Sequence, residues 1–189
     1  MILSISGKNF SGKTSAAEYL VSRPELNFVR LSFAEKLKEI AVRDFAYCGI
    51  TPELIKNGKT QLITINNRQI TVRQLLIDIG TKYREIDSDF WIRSVWHKAE
   101  EHIKQGKNCV FDDVRFENEC SFLKKHGSFL IRINRPGVPL LDDRSETELD
   151  TFAYFDSIID NKGTLEDLYS EIYGTYVLLE RRLHQERES

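Results

Sequence analysis

Gly7-Lys8-Asn9-Phe10-Ser11-Gly12-Lys13-Thr14 follows the pattern G-x-x-x-x-G-K-[ST] of a phosphate-binding loop. Its setting gives the match its weight. Met1-Ile2-Leu3-Ser4-Ile5-Ser6 is a short apolar run with β-branched residues, as a buried strand should be. Residues 14–21 then read as a helix, with Ala16, Ala17, Leu20 and Val21 as its apolar positions. In that order, the loop N–H groups and the helix N-terminus form one concave site for anionic oxygens. Gly12 lets the backbone approach a phosphate, Lys13 reaches the outer phosphates, and the Thr14 hydroxyl is placed for Mg²⁺. The residues expected to hold a nucleotide here are Gly7, Lys8, Ser11, Gly12, Lys13, Thr14 and Ser15.

Downstream, strands and helices alternate. Residues 27–33 and 108–113 read as strands, as do 129–133 and 157–160. Helices are expected over 34–48, 71–79, 89–104, 118–126 and from 164 to about 184. Gly80 and Gly106 are expected helix stops, and Asn66-Asn67 the turn of a small hairpin. Ser145-Glu146-Thr147-Glu148 fits a capping box and should start a helix. Alternation of this kind implies an α/β fold: a mostly parallel sheet with helices on both faces, and ligands at the carboxyl ends of the strands. The whole of 1–189 reads as a single P-loop NTPase-type domain, with an inserted segment about 34–95 and an arm about 134–150.

The 189 residues carry a formal net charge of −2, which argues against a general grip on nucleic acid. Cys48, Cys109 and Cys120 lack metal-ligand spacing and read as reduced thiols. No apolar run has the length to span a bilayer, and no leader precedes the first strand, so a cytoplasmic location is expected. The oligomeric state is left open, a homodimer included.

Asp112-Asp113 closes the strand about a hundred residues after the loop, where an acid could hold Mg²⁺ directly or through water. Because successive strand residues point to opposite faces, only one of the pair should face the phosphates, and Asp113 is the expected one. Arg115, Arg132, Arg135 and Arg144 follow, and guanidinium forks suit the charge of a transferred phosphoryl group. Pro136, Gly137 and Pro139 keep the arm irregular. Phe33, Lys36, Arg73, Gln74, Tyr83, Arg84 and Trp91 form a segment in which a phosphate-bearing acceptor could dock.

Taken together, these segments resemble the phage-type deoxynucleoside monophosphate kinases, relatives of the nucleoside monophosphate kinases, over nearly the whole chain. The more selective segments are Asp113-Val114-Arg115-Phe116 and Ser145-Glu146-Thr147-Glu148-Leu149-Asp150. Others are Leu31-Ser32-Phe33-Ala34, Arg132 with Arg135-Pro136-Gly137, and Ile159-Asp160-Asn161. The resemblance implies transfer of the γ-phosphate of ATP, with Mg²⁺, to a deoxynucleoside 5′-monophosphate. It implies catalytic roles for Lys13, Arg115, Arg135 and Arg144, and Mg²⁺ at Thr14 and Asp113. Asp160 and Asn161 would lie beside the adenine base. Ser32, Phe33, Lys36, Arg73, Gln74, Arg84, Trp91 and Arg115 would line the monophosphate site. The alternatives are a P-loop kinase of another small metabolite, and a nucleotide-binding switch or assembly ATPase with no small acceptor.

Overall fold

The computed structural model describes residues 1–139 and 143–188. In chain order the elements are β1 (Ile2–Ser6), α1 (Lys13–Val21), β2 (Phe28–Leu31), α2 (Phe33–Phe45), α3 (Pro52–Asn57), β3 (Leu62–Ile65), β4 (Arg68–Thr71), α4 (Val72–Ile86), α5 (Phe90–Lys104), β5 (Asn108–Val114), α6 (Glu117–Lys125), β6 (Ser128–Asn134), α7 (Arg144–Thr147), β7 (Ser157–Asp160) and α8 (Leu165–Glu188). Contacts group them into two compact units, Met1–Leu31 with His97–Ser189, and Ser32–Trp96.

The first unit is built on five strands in the order β2-β5-β1-β6-β7, every neighbouring pair parallel. All five residues of β1 are buried, which requires cover on both faces of the sheet. On one face Leu3, Ile5, Val110, Ile131 and Ile133 meet Ala16, Ala17 and Leu20 of α1 and Leu168, Ile172 and Tyr176 of α8. α6 packs along β6 and buries Cys120 and Leu123 completely. Start signals are local. Thr164 N–H donates to Asp167 Oδ2 at 2.8 Å and Asp167 N–H to Thr164 Oγ1 at 3.2 Å, a reciprocal cap that opens α8. Among the described residues no helix is long and apolar enough to cross a membrane.

The expected box at Ser145 does not form. Asp143 caps α7 instead, its carboxylate accepting the Ser145 N–H at 2.8 Å, and the helix is a single turn. An aspartate outcompetes a serine for this place because its acceptor is charged and already lies two residues back from the N–H it caps. Glu148, the far end of the expected box, is drawn to Arg144 and to the Glu117 N–H.

In the second unit, β3 and β4 pair in antiparallel register across Asn66-Asn67, both at positive φ (48° and 59°). Asparagine tolerates that region, and the mirror-image turn matches strand twist. Gly80 is not a helix stop. α4 runs through it to Ile86, because there the missing side chain relieves crowding: a Cβ would sit 3.0 Å from Leu37 Cδ1. The Gly80 carbonyl accepts the Trp91 indole N–H at 3.1 Å, and Trp91 is 2% exposed. Trp91 is thus a core residue tying α5 to α4, not a platform open to a base.

Trp91→Phe should therefore lower unfolding stability by about 1–2 kcal/mol, the worth of a buried hydrogen bond whose acceptor is left behind. Urea denaturation reads it, and an unchanged midpoint would show that the indole bond contributes nothing.

Candidate active site

The sheet order reverses at β1: the chain moves out to β2 on one side, fills in β5, then crosses to β6 on the other. The crevice beyond the carboxyl end of β1 is where ligands collect in such sheets. Residues 7–12 fill that crevice. A Cβ on Gly7 would collide with the Ile133 carbonyl oxygen, and one on Gly12 (φ 102°) would lie 2.8 Å from Leu168 Cδ2 and 2.9 Å from Asn161 Nδ2. Glycine at both ends lets the loop lie flat on β6 and α8. Phe10, 67% exposed, takes φ 61°, a strained value for an aromatic residue, as functional loops often hold. The first turn of α1 contains no acidic residue to compete for its N–H groups.

Lys13 opens α1 and is buried, with Nζ donating to the Lys8 carbonyl at 2.6 Å. Burial, then the Arg115 charge, lower its pKa from 10.5 to about 7; Glu146, Asp113 and Asp112 pull the other way. Five charged groups therefore share one small space.

Asp112 is 2% exposed and its Oδ2 accepts the Thr14 hydroxyl at 2.9 Å and Arg30 Nε at 2.8 Å. Burial and then the neighbouring Asp113 charge push its pKa up, opposed by Arg30. Its other oxygen, Oδ1, is buried with no hydrogen-bond partner among the described residues. The strand register explains why both acids act on the loop. Ser4 pairs with Phe111, yet Ser6 pairs with Val114, so β5 holds one residue more than β1 between these points. That bulge breaks the strict alternation.

On the other side, Arg115 Nη1 donates to Glu146 Oε1 at 2.6 Å and to the Ser145 carbonyl at 3.2 Å. Glu146 Oε2 accepts the Asn9 N–H at 2.7 Å. Asp150 joins Lys8 Nζ and Arg132 Nη2, both at 2.8 Å. Beside them Lys8, Arg132, Ile133, Asn134, Arg135, Gly137 and Val138 line an open cavity of about 410 Å³.

The deoxynucleotide monophosphate kinase family matches residues 45–172 of this chain. A relative from Acanthamoeba polyphaga mimivirus, provisionally named a deoxynucleotide monophosphate kinase, is 32% identical over 186 residues, covering 91% of this chain and 94% of its own. The chain belongs to the deoxynucleotide monophosphate kinase family. It is a phosphotransferase acting on deoxynucleotide monophosphates. Two solved structures are similar at lower levels. Shikimate kinase from Aquifex aeolicus is 15% identical, TM-score 0.47, over 97% of this chain and 99% of its own. Dephospho-CoA kinase from Campylobacter jejuni is 17% identical, TM-score 0.47, over 95% and 96%.

In this kinase the residues expected to act divide into those gathered at the loop and those elsewhere. Gly7, Lys8, Ser11, Gly12, Lys13 and Thr14 form the cradle, with Ser15 half-buried in the first turn of α1. Lys13 is a buried side chain. Asp112, not Asp113, bonds Thr14. Asn161 spends its amide on the Ser11 carbonyl at 2.9 Å, so it braces the loop from below, while Asp160 is exposed and pairs with Lys162. Arg135 is exposed and lines the cavity. Arg144 has a side chain 79% exposed that pairs with Glu148 and lies over Phe116. Ser32, Phe33, Lys36, Arg73, Gln74, Arg84 and Trp91 all belong to the second unit. Ser32 and Phe33 are buried, Lys36 pairs with Glu39, and Gln74 bonds Asp78.

Sequence reasoning missed Arg30, Glu146 and Asp150. Arg30 had no motif to mark it. The other two stood inside a segment read for its cap and for its family resemblance but not for charged site residues, although a four-residue spacing would put both on one side of a helix.

Lys13 yields a pH-dependent prediction. Its folded pKa of about 7 lies below the ordinary 10.5. The cost of burying the cation is fully present below about pH 7. It fades as pH rises towards 10.5, where the folded form has shed a proton the unfolded chain still holds. Lys13→Met should therefore stabilise the nucleotide-free kinase by about 1–3 kcal/mol at pH 6, with a smaller gain at pH 9. Denaturant midpoints at the two pH values check this; a gain that grows with pH would contradict it.

Proposed function

We propose that this kinase moves the γ-phosphate of ATP, in line, onto the 5′-phosphate of a deoxynucleoside monophosphate. The observation that carries the reading is the convergence on one phosphate loop of a buried lysine, Arg115, Arg132 and a carboxylate–hydroxyl pair. The acceptor's phosphate oxyanion is already nucleophilic, so positioning and charge neutralisation suffice and no general base is required. Lys13 and the N–H groups at the start of α1 take the donor's outer phosphates. Arg115 faces the charge that spreads over the transferred group. Arg135, on the cavity wall, closes on the same charge from the arm. Arg73, Gln74 and Arg84 of α4, with Lys36 of α2, are the groups proposed to hold the acceptor.

Thr14 and Asp112 fit Mg²⁺: both offer hard oxygens, and Asp112 Oδ1 has no other hydrogen-bond partner among the described residues. Held by Thr14 and Asp112, Mg²⁺ would supply positive charge that offsets the negative charge of the phosphates. Arg30 holds Asp112 in place for that task, and the Asp113 charge supports the protonated form of Lys13.

The direct test follows ADP formation with Mg·ATP and each common deoxynucleoside monophosphate. Acceptor-dependent ADP from at least one is expected, and none from any would defeat the reading. Lys13→Ala should cost roughly 10²–10³ in rate, as loss of one preorganised electrostatic donor does. Asp112→Asn should raise the Mg²⁺ concentration for half-maximal rate more than Asp113→Asn. The reverse order would move the metal to Asp113. Arg135→Ala should lower kcat and kcat/KM together with a smaller change in KM, and lysine should restore only part.

A further inference from the structure

We infer that Glu146 is a positioning residue for phosphoryl transfer, tying the Arg115 guanidinium to the phosphate loop at a fixed separation. The inference rests on the phosphoryl-transfer reading above and adds to it a residue that touches no substrate.

Glu146 stands on α7, a single turn that contributes little by itself. Its side chain is 4% exposed, so its charge is withdrawn from water. Burying a carboxylate is costly unless it is paired and hydrogen-bonded. Both requirements are met by the working parts of the site. One oxygen takes the Asn9 N–H of the loop at 2.7 Å, and the other takes Arg115 Nη1 at 2.6 Å. The carboxylate is therefore a bridge about one residue wide between the loop and the arginine. Asp150, four residues on and beyond α7, makes a second bridge from Lys8 to Arg132.

Arginine has a long, rotamer-rich side chain, and a free guanidinium would sample several places over the crevice. The bond to Glu146 and the weaker one to the Ser145 carbonyl both use Nη1. Among the described residues Nε and Nη2 of Arg115 carry no hydrogen bond. Two donors on one edge of the fork are thus held ready while the other edge is anchored. Displacement of a catalytic group by as little as 1 Å costs about 10² in rate.

A kinetic cycle on the full-length enzyme tests this. Glu146→Gln keeps the shape but has one acceptor oxygen where the carboxylate has two, and it removes the charge that fixes Arg115. It should lower kcat about 10–100-fold, with KM for ATP and for the acceptor changed less than about threefold. In an Arg115→Ala background the same substitution should cost almost nothing further, because there is no guanidinium left to place. Equal losses in both backgrounds would mean Glu146 merely supports the fold and would overturn the inference. A fall in KM for ATP with kcat retained would do so too, showing a carboxylate that competes with phosphate. Thermal unfolding of each variant identifies one that has lost its fold. Glu146→Asp, which keeps the charge, serves in place of such a variant and should recover part of kcat. If no deoxynucleotide supports turnover, the functional reading fails separately. The cycle is then read on slow Mg·ATP hydrolysis without acceptor, where the same non-additivity is expected.

Discussion

A buried ammonium group must be balanced before this site can exist. Lys13 lies out of water at the start of α1, and Arg115 stands near enough to lower its pKa further. Left alone, two cations in so small a space would repel and drive the lysine to neutrality. Glu146, Asp113 and Asp112 oppose that. The result is a lysine held close to its titration point in the nucleotide-free protein. Phosphates bound there, as proposed, would supply the missing negative charge.

The rest of the first unit can be understood as the means of bringing those carboxylates to that lysine. β5 lies next to β1, so its end meets the loop, and the bulge at its end turns two successive acids towards one region. β6 lies on the other side and brings Arg132 and the backbone on which Gly7 rests. α7 contributes Glu146 and, through the turn after it, Asp150. Arg30 on the sheet's edge strand holds Asp112 from behind. Each pair is an ion pair between residues distant in sequence, and each is partly or wholly shielded from solvent. Removing one partner alone would leave a buried charge uncompensated, which is why such networks hold their geometry.

Much of the fold follows from local signals. The alternation of apolar runs with helical spacing predicts the parallel sheet and its helices, and the five-strand arrangement bears that out. Asn66-Asn67 marks the hairpin turn because few residues accept positive φ twice in succession. The failures share a physical cause. Gly80 carries a low helix propensity, yet its bare Cα admits Leu37 and its carbonyl meets Trp91. Ser145 fits a cap pattern, but Asp143 reaches the same N–H with a charge. In both places a tertiary or neighbouring contact worth about 1 kcal/mol or more outweighs a propensity of similar size.

The sequence by itself determined the phosphate loop, its strand and helix, the class of fold and the family, because these rest on spacing within short segments. Glycine, lysine and threonine at set intervals have few other uses beside a buried strand. Which acid meets Thr14 was decided only in three dimensions, because a one-residue bulge changes the direction of every side chain after it and leaves no mark in the residue types. The same holds for Trp91, buried by its contact with Gly80, and for Arg144, which faces Glu148 and solvent. Glu146 and Asp150 are recognised as part of the site only by their partners. Asn9, Lys8, Arg115 and Arg132 reach them from more than fifteen residues away, and pairing over such separations is set by packing, not by pattern.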